Sequence, residues 1–168
     1  SGSAALTPLG WSYNGQGGVP SVGSQTVMTL WPEMLNTKSR RWFGQNVRKG
    51  TLKNLSFDLR QAAGTAAVLA SSFQFEEAEV KFLPNMPVIS EGLGYGVLER
   101  DEFILALEAG YVQAAKGGRL HMDGSSMRVP NAHVPDPPVI FDLKGRVSVP
   151  TLMSLMDNKP FQISTKTK

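Results

Sequence analysis

The residues best suited to chemistry lie in a basic segment that spans residues 36–55. The segment contains no Asp or Glu, and Trp42 and Phe43 stand near its centre. Lys and Arg displace counterions from phosphates and aromatic rings stack on bases, so this composition suits a polyanion. We predict nucleic-acid contacts at Lys38, Arg40, Arg41, Trp42, Arg48, Lys49 and Lys53. The alternative is a solvated basic loop that its aromatic residues anchor to the core.

Two histidines are each followed closely by an acid. His121 precedes Asp123, and His133 precedes Asp136. Such pairs can orient an imidazole or hold a metal, but the chain has no G-x-S-x-G nucleophile motif. Isolated loop histidines are more often surface residues that form ordinary hydrogen bonds. We therefore do not expect an enzyme, and we predict no cofactor.

Aspartates in turns allow one further hypothesis about metals. Asp101, Asp123 and Asp136 fall in turn-like sequence, where carboxylates of neighbouring subunits could share a Ca²⁺ ion. The acids are scattered rather than clustered, so no dedicated calcium loop is present. Interfacial calcium is possible but unsupported by the spacing.

The composition favours one β-rich domain. The 168 residues suffice for one hydrophobic core, the charged fraction is 18%, and the chain contains 17 Gly and 11 Pro. The chain has no Cys, which excludes disulfides and thiolate metal sites. No apolar run reaches the ~20 residues of a membrane span, and we expect neither a signal peptide nor a membrane partner.

Period-two alternation and turn residues predict several strands. The strongest predictions are strands over 73–82 and 93–98, joined by a Pro-rich turn; others are 24–31, 52–59, 111–115, 139–143, 146–149 and 161–163. Lys144-Gly145 is placed in a hairpin between the segments 139–143 and 146–149. Alanine density predicts a helix over 61–71, and an Asp101 cap predicts another over 101–110. Glycine density predicts an irregular arm over 1–23. These elements indicate an all-β sandwich or barrel.

The order of elements from 61 to 110 resembles the shell domain of coat proteins from small positive-strand RNA viruses. Phe73-Gln74-Phe75 opens a strand that ends at Pro84, and an alternating strand over 93–98 follows Pro87 and Gly92. An acidic turn at Asp101 completes the pattern, which is similar to tombusvirus-like and sobemovirus-like plant viruses.

The resemblance implies an eight-stranded antiparallel jelly-roll β-sandwich with the two short helices at 61–71 and 101–110. It also implies a flexible Gly/Ser-rich arm over 1–23, a shell domain over 24–165 and a basic tail over 166–168. Coat proteins of this type often carry a basic arm before the shell domain, whereas residues 1–23 contain no Lys or Arg.

The resulting expectation is a viral coat protein. Copies of the chain would form a closed shell, icosahedral or bacilliform, that packages single-stranded RNA by mainly electrostatic contacts. The protein would be located in the virion and, during assembly, in the host cytoplasm. The alternatives are a monomeric jelly-roll module that binds a carbohydrate or a protein, and a viral movement or RNA-binding protein.

Overall fold

The computed structural model describes residues 1–31, 37–82, 87–114, 118–132, 134 and 137–156. The chain begins with β1 (Gly2–Thr7) and β2 (Gly10–Gly23), followed by α1 (Ser24–Leu30) and α2 (Thr37–Asn46). The long strands β3 (Val47–Gln61), β4 (Val68–Val80), β5 (Ile89–Glu99) and β6 (Glu102–Gln113) come next. Three short strands, β7 (Arg119–His121), β8 (Ser126–Val129) and β9 (Ile140–Asp142), precede α3 (Val149–Met156).

The nine strands of the described residues form one antiparallel sheet. Its order is β1-β2-β3-β4-β5-β6-β8-β9, with β7 also paired to β6. The prediction of an all-β protein is confirmed. The eight-stranded, two-sheet jelly roll is not confirmed, because the strands that the structure describes follow one another as a meander in one sheet.

The predicted strand pair at the centre of the sequence is confirmed. β4 and β5 are antiparallel neighbours, and Phe73 and Phe75 lie opposite Gly96 and Gly94. Most of the predicted connecting turn, residues 83–86, lies outside the described residues. Glycine does fall on one face of β5, as the alternation predicted.

The predicted helix over 61–71 is wrong. β3 continues to Gln61, a turn follows, and β4 begins at Val68. The Thr65 amide and hydroxyl both donate to the Ala62 carbonyl, and Gly64 has a φ of 76° in this turn. Alanine favours a helix by only a few tenths of a kcal/mol per residue over most residues, roughly. Pairing along β3 and β4 outweighs that preference.

The predicted helix over 101–110 is also wrong. Residues 102–113 form β6, with Asp101 in the turn before it. Phe103 and Leu105 pair with Leu98 and Gly96 of β5 on one side and with β8 on the other. Residues 103, 105 and 107 therefore lie on one face of a strand. Their spacing of two residues, rather than the capping aspartate, indicates the structure of this segment.

Two N-terminal predictions need correction as well. Residues 1–23 form the hairpin of β1 and β2 rather than an irregular arm, because β2 gains a full partner in β3. The predicted strand over 24–31 is the helix α1, and its Val27 packs against the core. Alternation over so short a stretch does not separate a strand from a helix. The proposed boundaries of a shell domain at residues 24 and 165 stay a prediction.

The C-terminal prediction is confirmed in part. β9 lies within the predicted strand 139–143, but it pairs with β8. The predicted hairpin at Lys144-Gly145 is wrong, since Arg146 pairs with His121 instead. The predicted strand 161–163 and the basic tail lie outside the described residues. α3 is anchored through the buried Thr151, whose Oγ1 accepts a hydrogen bond from the Gly118 amide at 2.8 Å.

The hydrophobic core occupies one end of the sheet. Buried residues of the four strands β2, β3, β4 and β6 and of the segments that follow β6 and β7 form one cluster: Val22, Leu52, Phe75, Ala78, Leu107, Val112, Ala114 and Met122. Val27 of α1 packs against it from above. The helix therefore covers the end of the sheet where the β2–β3 connection crosses.

Candidate functional site

One face of the sheet is apolar over most of its width. Residues directly opposite one another in an antiparallel pair share a face, as do residues two apart along a strand. Three rows of such residues define this apolar face. They are Val22-Leu52-Phe75-Gly94-Leu107, Phe73-Gly96-Leu105-Met127-Phe141 and Gly17-Phe57-Ser71-Leu98-Phe103-Val129. None of these residues is charged, and Ser71 supplies their one side-chain hydroxyl.

Aromatic rings lie over glycines on this face. A Cβ on Gly17 would lie 2.6 Å from Cζ of Phe57, and a Cβ on Gly94 would lie 2.6 Å from Cζ of Phe75. The Phe73 ring approaches Gly96 in the same way. The missing side chain of each glycine lets a ring lie flat against the neighbouring strand. Aromatic carbon therefore covers these three glycines on the apolar face.

The two ends of the apolar face differ in exposure. Phe75 and Leu107 are each 7% exposed at the covered end, where Val27 of α1 packs against the core cluster. At the other end, Phe57 is 43%, Trp11 60% and Leu6 67% exposed. We call this second region the open end; its members are Leu6, Trp11, Tyr13, Phe57, Leu59 and Leu69. Contiguous apolar surface of this kind marks a binding site in many proteins.

Two rings that are distant in the strand order meet on the apolar side. The centroids of Phe82, just after β4, and Phe141, on β9, are 6.2 Å apart. β4 and β9 are four steps apart in the sheet, about 19 Å if the sheet were flat at roughly 4.8 Å per strand. The sheet and the segment after β4 therefore bend towards one another, which places the apolar face on the inside.

The opposite face is polar and offers no catalytic arrangement in the described residues. A broad depression of about 530 Å³ is lined mainly by this face, including Ser56, Asp58, Ser72 and Glu99. Arg60 donates two hydrogen bonds of 2.7 Å to Asp58, which hold the pKa of that carboxyl below its ordinary value. Arg60 is exposed and Asp58 is partly exposed in an open depression, so the pair has little effect on stability.

The residues predicted to contact RNA lie on α2 and β3. Arg40 donates to the carbonyl oxygens of Trp31 and Met28 at 3.2 and 3.3 Å. Lys49 and Lys53 lie 3.7 and 3.6 Å from carboxylate oxygens of Glu77 and Glu76 on β4, respectively.

The remaining predicted RNA contacts differ in their surroundings. Arg41, Trp42 and Arg48 are exposed, and the side chain of Lys38 lies outside the described part. The basic segment contains no acid in its own sequence, but glutamates of the neighbouring strand β4 lie beside two of its lysines. RNA binding at these residues stays a prediction.

The predicted His–Asp pairs are not brought together where the structure describes them. Asp123 accepts a hydrogen bond from Arg146 at 3.1 Å, while His121 pairs through its backbone with Arg146. His133 and Asp136 lie outside the described residues. Within those residues, no group of three or more His, Asp or Glu side chains is arranged to hold a metal.

Sequence reasoning missed the open end. The signal was the spacing of two residues between Ala4 and Leu6, between Trp11 and Tyr13 and between Gly15 and Gly17. Residues spaced in this way lie on one face of a strand. The glycine content obscured this signal. Glycine was interpreted as a residue that interrupts a strand, whereas here it leaves space for an aromatic ring on the neighbouring strand.

Among the described residues, no helix has the length and hydropathy needed to cross a membrane. No protein-family model matches the chain, and comparisons with curated proteins and with solved structures found no significant match.

Proposed function

We propose that this chain is a binding module that holds the acyl chain of a fatty acid or phospholipid against its apolar face. The observation that carries the proposal is the open end, where Leu6, Trp11 and Phe57 expose apolar surface that is continuous with the core. Removing such surface from water contributes roughly 25 cal/mol per Å².

The chemistry of the apolar face favours an acyl chain over a transient protein partner. Protein interfaces contain about one hydrogen bond per 100–200 Å², supplied by polar side chains. The rows that form the apolar face supply one hydroxyl, that of Ser71, and no charge; the members of the open end add only the Tyr13 phenol and the Trp11 indole N–H. An acyl chain has no hydrogen-bonding group along its length and therefore matches this surface.

The shape of the open end also suits a linear ligand. Phe57 fills the space above Gly17, but a Cβ on Gly15 would have no heavy atom within 4 Å. Gly15 lies opposite Leu59 and two residues from Tyr13 on the same face. The space above Gly15 is therefore open, and it borders the apolar side chains of Tyr13 and Leu59.

A titration with a fluorescent polyene fatty acid tests this function. We expect saturable binding with a dissociation constant of about a micromolar, since burial of the chain is offset by the cost of immobilising it. Palmitate should displace the probe, whereas a soluble sugar should not. Fluorescence that rises without saturation, or that palmitate does not reverse, would refute the function.

A viral coat protein is the second candidate. The observation that favours it is the same uncovered apolar face, together with β1, which pairs only with β2 and presents an unpaired edge among the described strands. Copies of the chain would then cover one another. The two-sheet jelly roll remains an expectation of this candidate, and the acyl-binding proposal does not require it.

Electron microscopy separates the two candidates. Closed shells of uniform diameter, formed with RNA and without fatty acid, would favour the coat protein. Protein that remains monomeric in all salts and binds the probe with one site per chain would favour the acyl-binding module.

A further inference from the structure

The basic segment is not used by the acyl-binding proposal, and its geometry points to a second surface. We propose that the exposed side of α2 and the start of β3 bind the headgroups of an anionic phospholipid bilayer. We call this surface the basic patch; its members are Arg41, Trp42 and Arg48. The inference rests on the proposed function, since it assigns the source of the acyl-chain ligand.

α2 is held so that Trp42 points outwards. The rings of Phe43 and Trp31 lie 6.1 Å apart, and Gly44 allows Met28 of α1 to approach closely. Arg40 donates to two carbonyl oxygens at the end of α1. These contacts fix one side of α2 against α1, while Trp42 on another side remains 40% exposed.

The exposed side combines the two residue types that act at a membrane surface. Arg41 precedes Trp42 on α2, and Arg48 is the second residue of β3. Both arginines are exposed. Tryptophan favours the interface between headgroups and acyl chains, and arginine is attracted to anionic lipids. α1 contacts both parts of the molecule. Its Val27 packs against the core of the apolar face, and its other side contacts α2, which carries Arg41 and Trp42 of the basic patch.

The neighbouring acids favour a bilayer over an RNA strand. A strand of RNA needs a row of cations that follows successive phosphates. Here Glu76 and Glu77 lie beside Lys53 and Lys49, so the row of cations on β3 is interrupted. A bilayer needs only a few cations around an exposed aromatic residue, and the basic patch supplies these.

Vesicle flotation with the full chain tests the basic patch. We expect binding to phosphatidylcholine vesicles that contain phosphatidylglycerol, little binding to pure phosphatidylcholine, and loss of binding at high salt. The double variant Arg41→Gln/Arg48→Gln should bind about 25-fold more weakly, or about fivefold per charge. Trp42→Ala should also weaken binding.

The matched control is Arg100→Gln/Lys144→Gln, which removes two exposed cations outside α2 and β3. It should bind the vesicles like the unchanged protein. Equal losses in both double variants, or equal binding to neutral vesicles, would overturn the patch. Binding of a single-stranded RNA oligomer that Arg41→Gln/Arg48→Gln abolishes, without vesicle binding, would assign the surface to RNA instead.

The two proposals fail separately. Arg41→Gln/Arg48→Gln should retain the affinity for the fluorescent fatty acid, because neither residue lies on the apolar face. If the unchanged protein floats with anionic vesicles but binds no fatty acid, the basic patch stands and the acyl site falls. If the unchanged protein binds fatty acid but no vesicle, the acyl site stands and the basic patch falls.

Discussion

Gly94→Ala should lower the free energy of unfolding by about 3 kcal/mol, the upper part of the range for an overpacked core. A Cβ at this position would lie 2.6 Å from Cζ of Phe75 and closer still to the carbonyl oxygen of Ala106 on β6. Phe75 is 7% exposed and packed in the core, so its ring cannot move aside without disturbing the covered end. Urea denaturation followed by circular dichroism measures the change.

Gly15→Ala is the matched control for this prediction. Gly15 lies on the same face of the same sheet, with no heavy atom within 4 Å of a built Cβ. The variant should change the free energy of unfolding by less than about 1 kcal/mol, and restricting the unfolded chain favours a gain. Equal destabilisation by both variants would show that the close approach of the Phe75 ring and the Ala106 carbonyl does not require glycine at position 94.

Phe57→Asp should weaken fatty-acid binding about a hundredfold or more. Phe57 belongs to the open end and lies over Gly17, so the variant would place a carboxylate on an otherwise uncharged surface. An acyl chain that covers the carboxylate would desolvate it without a partner, which costs several kcal/mol, roughly. Titration with the fluorescent fatty acid measures the loss, and circular dichroism checks that the sheet persists.

Ser56→Asp provides the control, because it introduces the same charge one residue away on the polar face. Ser56 is exposed, and its Oγ lies 2.8 Å from Oγ of Ser72. This variant should bind the fatty acid like the unchanged protein. If Ser56→Asp weakened binding as much as Phe57→Asp, the ligand would not occupy the apolar face.

The sequence predicted the all-β class and the central strand pair, because residues 72–75 of β4 and 91–96 of β5 alternate between exposed and covered positions. The segments 61–71 and 101–110 misled because alanine and a capping aspartate are local signals. The pairing that overrides them joins residues distant in the chain, such as Asp58 with Ala70 and Ile104 with Arg128.

The candidate site was predictable in one part only. Charge is visible along a sequence, so the basic segment was found, although the glutamates that β4 places beside Lys49 and Lys53 were not. The open end depends on sheet register, which brings Gly17 opposite Phe57 across a connection of two helices. The residues near Gly17 in the sequence do not indicate that it pairs with Phe57.

Photo-crosslinking with a fatty acid that carries a diazirine near its methyl end tests the acyl-binding site most directly. After irradiation, digestion and mass spectrometry, we expect adducts on the open end, at Trp11, Phe57, Leu59 or Leu69, which excess palmitate suppresses. Adducts confined to the polar face, at Ser56, Ser72 or Val97, or adducts that palmitate does not suppress, would contradict it.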